Sequence, residues 1–114
     1  MSDCLFCKIV EGSIPSQKVA EDIDFIAFRD INPQAPIHVL FVPRRHIESL
    51  DKASDGDREI LGKLLLSAAD FARQTGFAEA GYRVVINTNA DGGQTVFHLH
   101  VHLLAGRQFI FPPG

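Results

Sequence analysis

Phe97-His98-Leu99-His100-Val101-His102-Leu103-Leu104 sets three of the chain's five histidines at alternate positions, with apolar residues between them. Successive side chains of a β-strand point to opposite faces. Read as a strand over 95–104, this stretch puts His98, His100 and His102 on one face. Phe97, Leu99, Val101 and Leu103 fall on the other, where they would pack under a helix. Same-face Cα atoms lie about 6.6 Å apart at roughly 3.3 Å per residue, so neighbouring imidazoles can surround one phosphate-sized group.

Outward from this strand, Asn89-Ala90-Asp91-Gly92-Gly93 reads as a turn and 82–88 as a further strand. Ile60, Leu61, Leu64, Leu65, Ala68, Ala69, Phe71 and Ala72 keep helical spacing, which predicts a long helix over 57–75 ended by Gly76. The β-rich run 37–42 stops at Pro43 and reads as a central strand. Strands at 18–20 and 25–28 form a hairpin. A short helix over 3–11 would be capped by Asp3 and closed by Gly12. These are five clustered strands with one long and one short helix, which predicts an α+β fold on an antiparallel sheet.

The chain has 114 residues, 46% of them hydrophobic and 22% charged, which suits one domain over 1–114. Fourteen acidic and 11 basic side chains give a net charge of −3, which argues against a broad nucleic-acid-binding face. No apolar run approaches the roughly 20 residues needed to cross a bilayer. The opening residues lack the basic start and apolar stretch of a secretory signal. Cys4-x-x-Cys7 in that context suggests reduced thiols, and a cytoplasmic protein is expected.

Histidine suits chemistry at phosphorus. Neutral imidazole is nucleophilic near pH 7, and small shifts move it between acid and base. Attack by one ring would split a displacement into two steps through a nucleotidyl-histidine. Two other readings of the run are polar side chains on a solvated strand face and a three-histidine catalytic zinc. Against the zinc, no acidic orienting partner stands nearby in sequence.

The run resembles the histidine-triad (HIT) motif, His-φ-His-φ-His-φ-φ with φ apolar. The likeness extends through Phe6-Cys7-Lys8-Ile9, Ala27-Phe28-Arg29-Asp30-Ile31, Gly81-Tyr82-Arg83, Gly92-Gly93-Gln94 and the Phe111-Pro112-Pro113-Gly114 ending. It points to the Hint branch, the histidine triad nucleotide-binding proteins. That resemblance implies hydrolysis of a purine nucleoside phosphoramidate to a nucleoside monophosphate and an amine. A sister branch cleaves dinucleoside polyphosphates, and a nucleotide-binding adaptor with little turnover is a third reading.

The resemblance also implies roles. His100 would attack the α-phosphorus and His102 would hydrogen-bond a non-bridging oxygen. His98 would orient His100 through its backbone carbonyl, and His38 would support the network. Asn87, Gly93 and Gln94 match phosphate-side positions. Thr95 stands where the branch usually has Ser and would assist the leaving amine, although strict alternation aims it away from the histidine face. Asp30 matches the ribose position, and Phe6, Ile9, Phe28 and Ile31 the base site. By pattern alone Phe6 and Ile9 fit the apolar stripe of the short helix. Arg29 departs from a histidine common in related chains.

No Walker-type loop or carboxylate cluster is present, so no cofactor is expected in catalysis. The resemblance implies a structural zinc on Cys4, Cys7, His46 and His98, as in several such proteins; two reduced thiols are the alternative. It also implies a homodimer that joins two five-stranded sheets and brings Phe111 of each tail to the partner's site, with no nucleic-acid or membrane partner.

Overall fold

The computed structural model describes residues 3–114. Its elements in chain order are α1 (Leu5–Glu11), β1 (Lys18–Glu21), β2 (Phe25–Arg29), β3 (Ile37–Pro43), α2 (Arg58–Gln74), β4 (Tyr82–Val85) and β5 (Val101–Ala105). The strands form one antiparallel sheet in the order β1-β2-β3-β5-β4. This is the α+β fold expected, with a five-stranded sheet, one long helix and one short one.

Local chemistry explains most boundaries. Asp22 Oδ1 accepts the backbone N–H groups of Asp24 and Phe25, which closes the β1–β2 hairpin as an Asx turn. Gly12 ends α1 in the left-handed region at φ 88°. The N-cap of α1 is Cys4 rather than Asp3: Cys4 has extended backbone, and its Sγ accepts the Cys7 N–H at 3.3 Å. Asp57 Oδ2 accepts the Ser54 N–H at 2.9 Å just before α2, satisfying an amide that helix geometry would leave open.

Alternation sorts the sheet into two faces. Phe25, Ala27, Val39, Phe41, Val101 and Leu103 pack with Leu99 beneath Leu64, Ala68 and Ala72 of α2. Ile26, Phe28, Leu40 and Val42 face the other way and meet Phe6 of α1.

Two strands are shorter than expected. β4 stops at Val85 instead of 88, and β5 begins at Val101 instead of 95. Bends at 96–98 break the ladder, because this segment is tied to a loop rather than to a neighbouring strand. Leu99 N–H bonds Ile47 O at 2.6 Å, and the Gln94 amide donates to Glu48 O and Val96 O. Leu99, Val101 and Leu103 still reach the core under α2. Phe97 does not, being 43% exposed. Among the described residues no helix is long and apolar enough to cross a membrane.

Candidate active site

The face away from α2 holds a cavity of about 380 Å³. Its apolar walls include Phe6, Ile9, Phe28, Ile31 and Leu40, and its polar lining includes Asp30, Asn87, Gly93, Thr95, His100 and His102. Register accounts for the convergence. Leu40 pairs with His102 and His38 with Leu104, so His38 and His102 are diagonal neighbours on one face. The Asp30 N–H bonds His38 O at 2.9 Å, which sets the Asp30 carboxylate beside the same ring, with Oδ2 3.4 Å from His38 Nε2.

The hydrogen bonds assign the tautomers, because carbonyl oxygens only accept and backbone N–H groups only donate. His100 Nδ1 lies 2.7 Å from His98 O; it therefore carries the proton and leaves Nε2 as a lone pair. Gln34 N–H donates to His38 Nδ1 at 3.0 Å, so the neutral His38 ring bears its proton on Nε2. That atom lies 2.9 Å from His102 Nδ1, which must accept. His102 is left with Nε2–H, a buried donor with no hydrogen-bond partner among the described residues. The ligand atoms of Asp30, His38 and His102 lie within 4.8 Å of one another, and the His38–His102 hydrogen bond links the two rings beside the carboxylate.

Burial keeps these rings neutral. It pushes His102 down to about 4, aided by His100 and His38 and opposed by Asp30. His100 is lowered mainly by burial, against its bond to His98 O and the Asp30 charge. His38 is likewise lowered by burial and raised in part by Asp30. Near pH 7 the cavity thus presents one imidazole lone pair and one imidazole N–H, with ring centroids 4.9 Å apart.

His98 does not share this cavity. The bends at 96–98 turn its fully buried ring toward α1. Its Nε2 donates to Pro43 O at 2.8 Å, which frees Nδ1 as a lone pair. That atom lies 3.3 Å from Cys4 Sγ, 3.5 Å from Cys7 Sγ and 3.2 Å from His46 Nδ1, while Cys7 Sγ is 3.3 Å from His46 Nδ1. Tetrahedral zinc at about 2.3 Å to sulfur and 2.0–2.1 Å to nitrogen would hold its ligand atoms about 3.3–3.8 Å apart. The donor set and its spacing fit that ion. Burial also depresses His98, to about 4, which favours the neutral ligand form.

The same bends bring Thr95 into the cavity lining, against the strict alternation that aims it away. Gln94 is not brought in. Its buried side chain bonds Glu48 O, Val96 O and the Asn89 N–H, fastening the Asn89–Gly93 turn. Gly93 needs its positive φ of 86° there, and a Cβ on Gly92 would strike the Thr88 backbone. Phe6 serves both readings, being buried in the smaller core and part of the cavity wall. Sequence reading missed Gln34 and Pro43, whose contributions are backbone groups that carry no residue-type signal.

Comparison with known proteins fits this arrangement. The HIT domain profile matches residues 11–109. The chain belongs to the HIT family. A HIT family hydrolase from Legionella pneumophila, known from its crystal structure, superposes with a TM-score of 0.96 at 50% identity, covering 98% of this chain and 100% of that one. The 14 kDa zinc-binding protein of Zea mays is 51% identical over 99% of this chain and 89% of its own length. Adenylylsulfatase HINT1 of Arabidopsis thaliana is 48% identical over 99% of this chain and 78% of its own. These relatives support a hydrolase of the HIT family.

Proposed function

We propose that this HIT domain hydrolyses purine nucleoside 5′-phosphoramidates to a nucleoside monophosphate and an amine. One observation carries the reading. The Nδ1–H bond from His100 to His98 O at 2.7 Å leaves a nucleophilic Nε2 in a cavity that also holds the unpartnered Nε2–H of His102.

His100 Nε2 attacks the α-phosphorus. An N–P bond forms and the bond to the amine breaks, the amine nitrogen taking the proton of the Thr95 hydroxyl, which the water of the second step restores. His102 Nε2–H meets the negative charge that develops on a non-bridging oxygen. Water then cleaves the nucleotidyl-histidine and regenerates the neutral ring. Asp30 receives the ribose hydroxyls, while Phe6, Ile9, Phe28 and Ile31 enclose the purine. Asn87 and Gly93 flank the phosphate.

These groups supply the charge stabilisation themselves, so added magnesium is expected to leave turnover unchanged. Cys4, Cys7, His46 and His98 would hold a zinc ion as a structural brace, a reading supported by the maize relative's name. Metal analysis of unchelated protein tests it, and a substoichiometric zinc content defeats it. We place the protein in the cytoplasm, where the resting state of these thiols is reduced. The exposed Ile110 and Phe111 support a homodimer in which a second copy covers the tail, and sedimentation at micromolar concentration tests that.

The Arabidopsis relative's name favours adenylyl sulfate as a second substrate for the same nucleophile, with sulfate leaving in place of the amine. Turnover of an AMP-linked amine, adenylyl sulfate and a diadenosine polyphosphate ranks the substrates. A trapped phosphorus–histidine adduct at His100 is expected, and hydrolysis without one would overturn the mechanism.

A further inference from the structure

Cys4 and Cys7 meet at one imidazole whose own backbone holds the nucleophile. Cys4 is the extended N-cap of α1 and Cys7 lies in its first turn, so the Cys4 side chain folds back over the helix start. The Cys7 N–H bonds Cys4 Sγ at 3.3 Å. Both sulfurs approach a single atom, His98 Nδ1, at 3.3 and 3.5 Å. The donor atoms of the cluster all lie within 4.8 Å of one another. The sulfurs therefore need only a small local movement to bond, within the reach of disulfide geometry. His46 is exposed and both cysteines are half-buried, so a small reagent can reach them.

Two routes lead from this cluster to His100. His98, the residue both sulfurs touch, holds His100 Nδ1–H with its own carbonyl at 2.7 Å. Phe6, between the two cysteines, packs edge-on against the His98 ring at 6.1 Å and the His100 ring at 4.9 Å between centroids. Asp30 and Phe28 of the nucleoside side stand on or next to β2, on a different element from the two cysteines.

We propose that Cys4 and Cys7 form a redox-modifiable pair, whose oxidation to an intrachain disulfide dismantles the sulfur–imidazole cluster and slows turnover at His100 while nucleotide binding persists. The oxidant is a low-molecular-weight disulfide. One cysteine thiolate attacks it, forms a mixed disulfide and releases one thiol. The second cysteine displaces the other thiol, forming the Cys4–Cys7 bond. The protein gives up two electrons and two protons, and the reagent becomes two thiols. Any zinc held there loses two of its four ligands and departs as the divalent ion. His98 Nδ1 loses its two sulfur neighbours and keeps His46 alone, and its carbonyl, with the His100 ring, loses its fixed aim.

The consequence for turnover rests on His100 being the nucleophile, and the experiment separates the two. Protein incubated with glutathione disulfide is followed by mass spectrometry for loss of two hydrogens. Three readouts are taken: turnover of an AMP-linked amine, AMP affinity by calorimetry, and the His100 Nδ1–H resonance in ¹⁵N-histidine-labelled protein. Oxidation is expected to cut kcat about tenfold to a hundredfold, the scale of a 1 Å misplacement, with AMP affinity held within about threefold. A shifted resonance and full recovery in dithiothreitol complete the expected result. Cys7→Ser is expected to show the same kcat before and after treatment, whatever its starting value. Quantitative disulfide with kcat and resonance unchanged overturns the proposal. So does failure of the folded protein to form the bond in excess reagent, or an equal loss in Cys7→Ser. If the reduced protein hydrolyses no nucleotide substrate, the proposed function falls, and the resonance still decides whether the pair controls His100.

Discussion

The two faces of β5 are made for different work. Val101 and Leu103 are fully buried beneath α2, beside Val39 and Phe41. One residue away, His102 lines an open cavity and keeps an N–H with no partner. The covered face is dry, apolar and closely packed, and the other face is left open along one edge of α1. A buried polar donor that lacks a partner costs stability. The cohesion of the helix-covered face offsets that cost, and the donor stays available for a ligand. Chemistry and stability are thus divided across a single strand.

This division predicts which substitutions damage which property. His100→Asn strikes the chemical face alone. Its turnover is expected to fall by roughly 10³ or more, with AMP affinity within a few-fold by calorimetry; an active variant would remove the nucleophile. Leu103→Ala strikes the opposite face of the same strand. It is expected to cost about 2–5 kcal/mol in chemical unfolding, with activity per folded molecule retained. If Leu103→Ala and His100→Asn prove alike in either assay, the division fails.

His38→Ala sharpens the comparison by removing the ring that fixes the His102 tautomer. The lost buried hydrogen bond is expected to lower stability by about 1–3 kcal/mol in chemical unfolding, and an equal loss at the transition state lowers kcat/KM of the folded enzyme by roughly 5- to 150-fold. The pH dependence carries a smaller signal. His102 titrates near 4 in the fold and near 6.5 when unfolded. Between these values the unfolded chain binds the extra proton, so stability is greatest above pH 6.5 and declines as pH falls toward 4. Thermal unfolding across that range is expected to show the decline, and His102→Leu to make it shallower, with the remainder coming from His98, His100 and His38, which burial also lowers. Smallest of all is Phe97→Ser, expected within about 0.5 kcal/mol of the parent, because this side chain lies outside the core.

That last residue shows where sequence reading succeeded and where it stopped. Alternation correctly sent Leu99, Val101 and Leu103 under the helix and His100 and His102 to the opposite face. It failed at Phe97 and Thr95, because the rule of two holds only while a strand has a neighbour to pair with; His98 stays on the α1 face with His100, both rings packing on Phe6. The segment 94–99 bonds a loop instead, the Leu99 N–H to Ile47 O and the Gln94 side-chain amide to Glu48 O, a long-range tie that no local pattern records. The Cys4-x-x-Cys7 spacing together with the family likeness named Cys4, Cys7, His46 and His98, whose donor atoms the fold brings within 4.8 Å of one another. The helix cap shifted from Asp3 to Cys4 because a sulfur already drawn toward His98 takes the Cys7 amide. The proton positions were beyond reach, since Gln34, Pro43 and His98 set them with backbone atoms.

Ile31 offers a thermodynamic fingerprint. Although it borders the cavity, its side chain is 99% exposed, so water wets nearly all of it until a flat heterocycle settles there. Drying that surface lowers the heat capacity of the complex. The enthalpy of nucleotide association should therefore grow more exothermic with each degree of warming, and shortening Ile31 to alanine should reduce that slope.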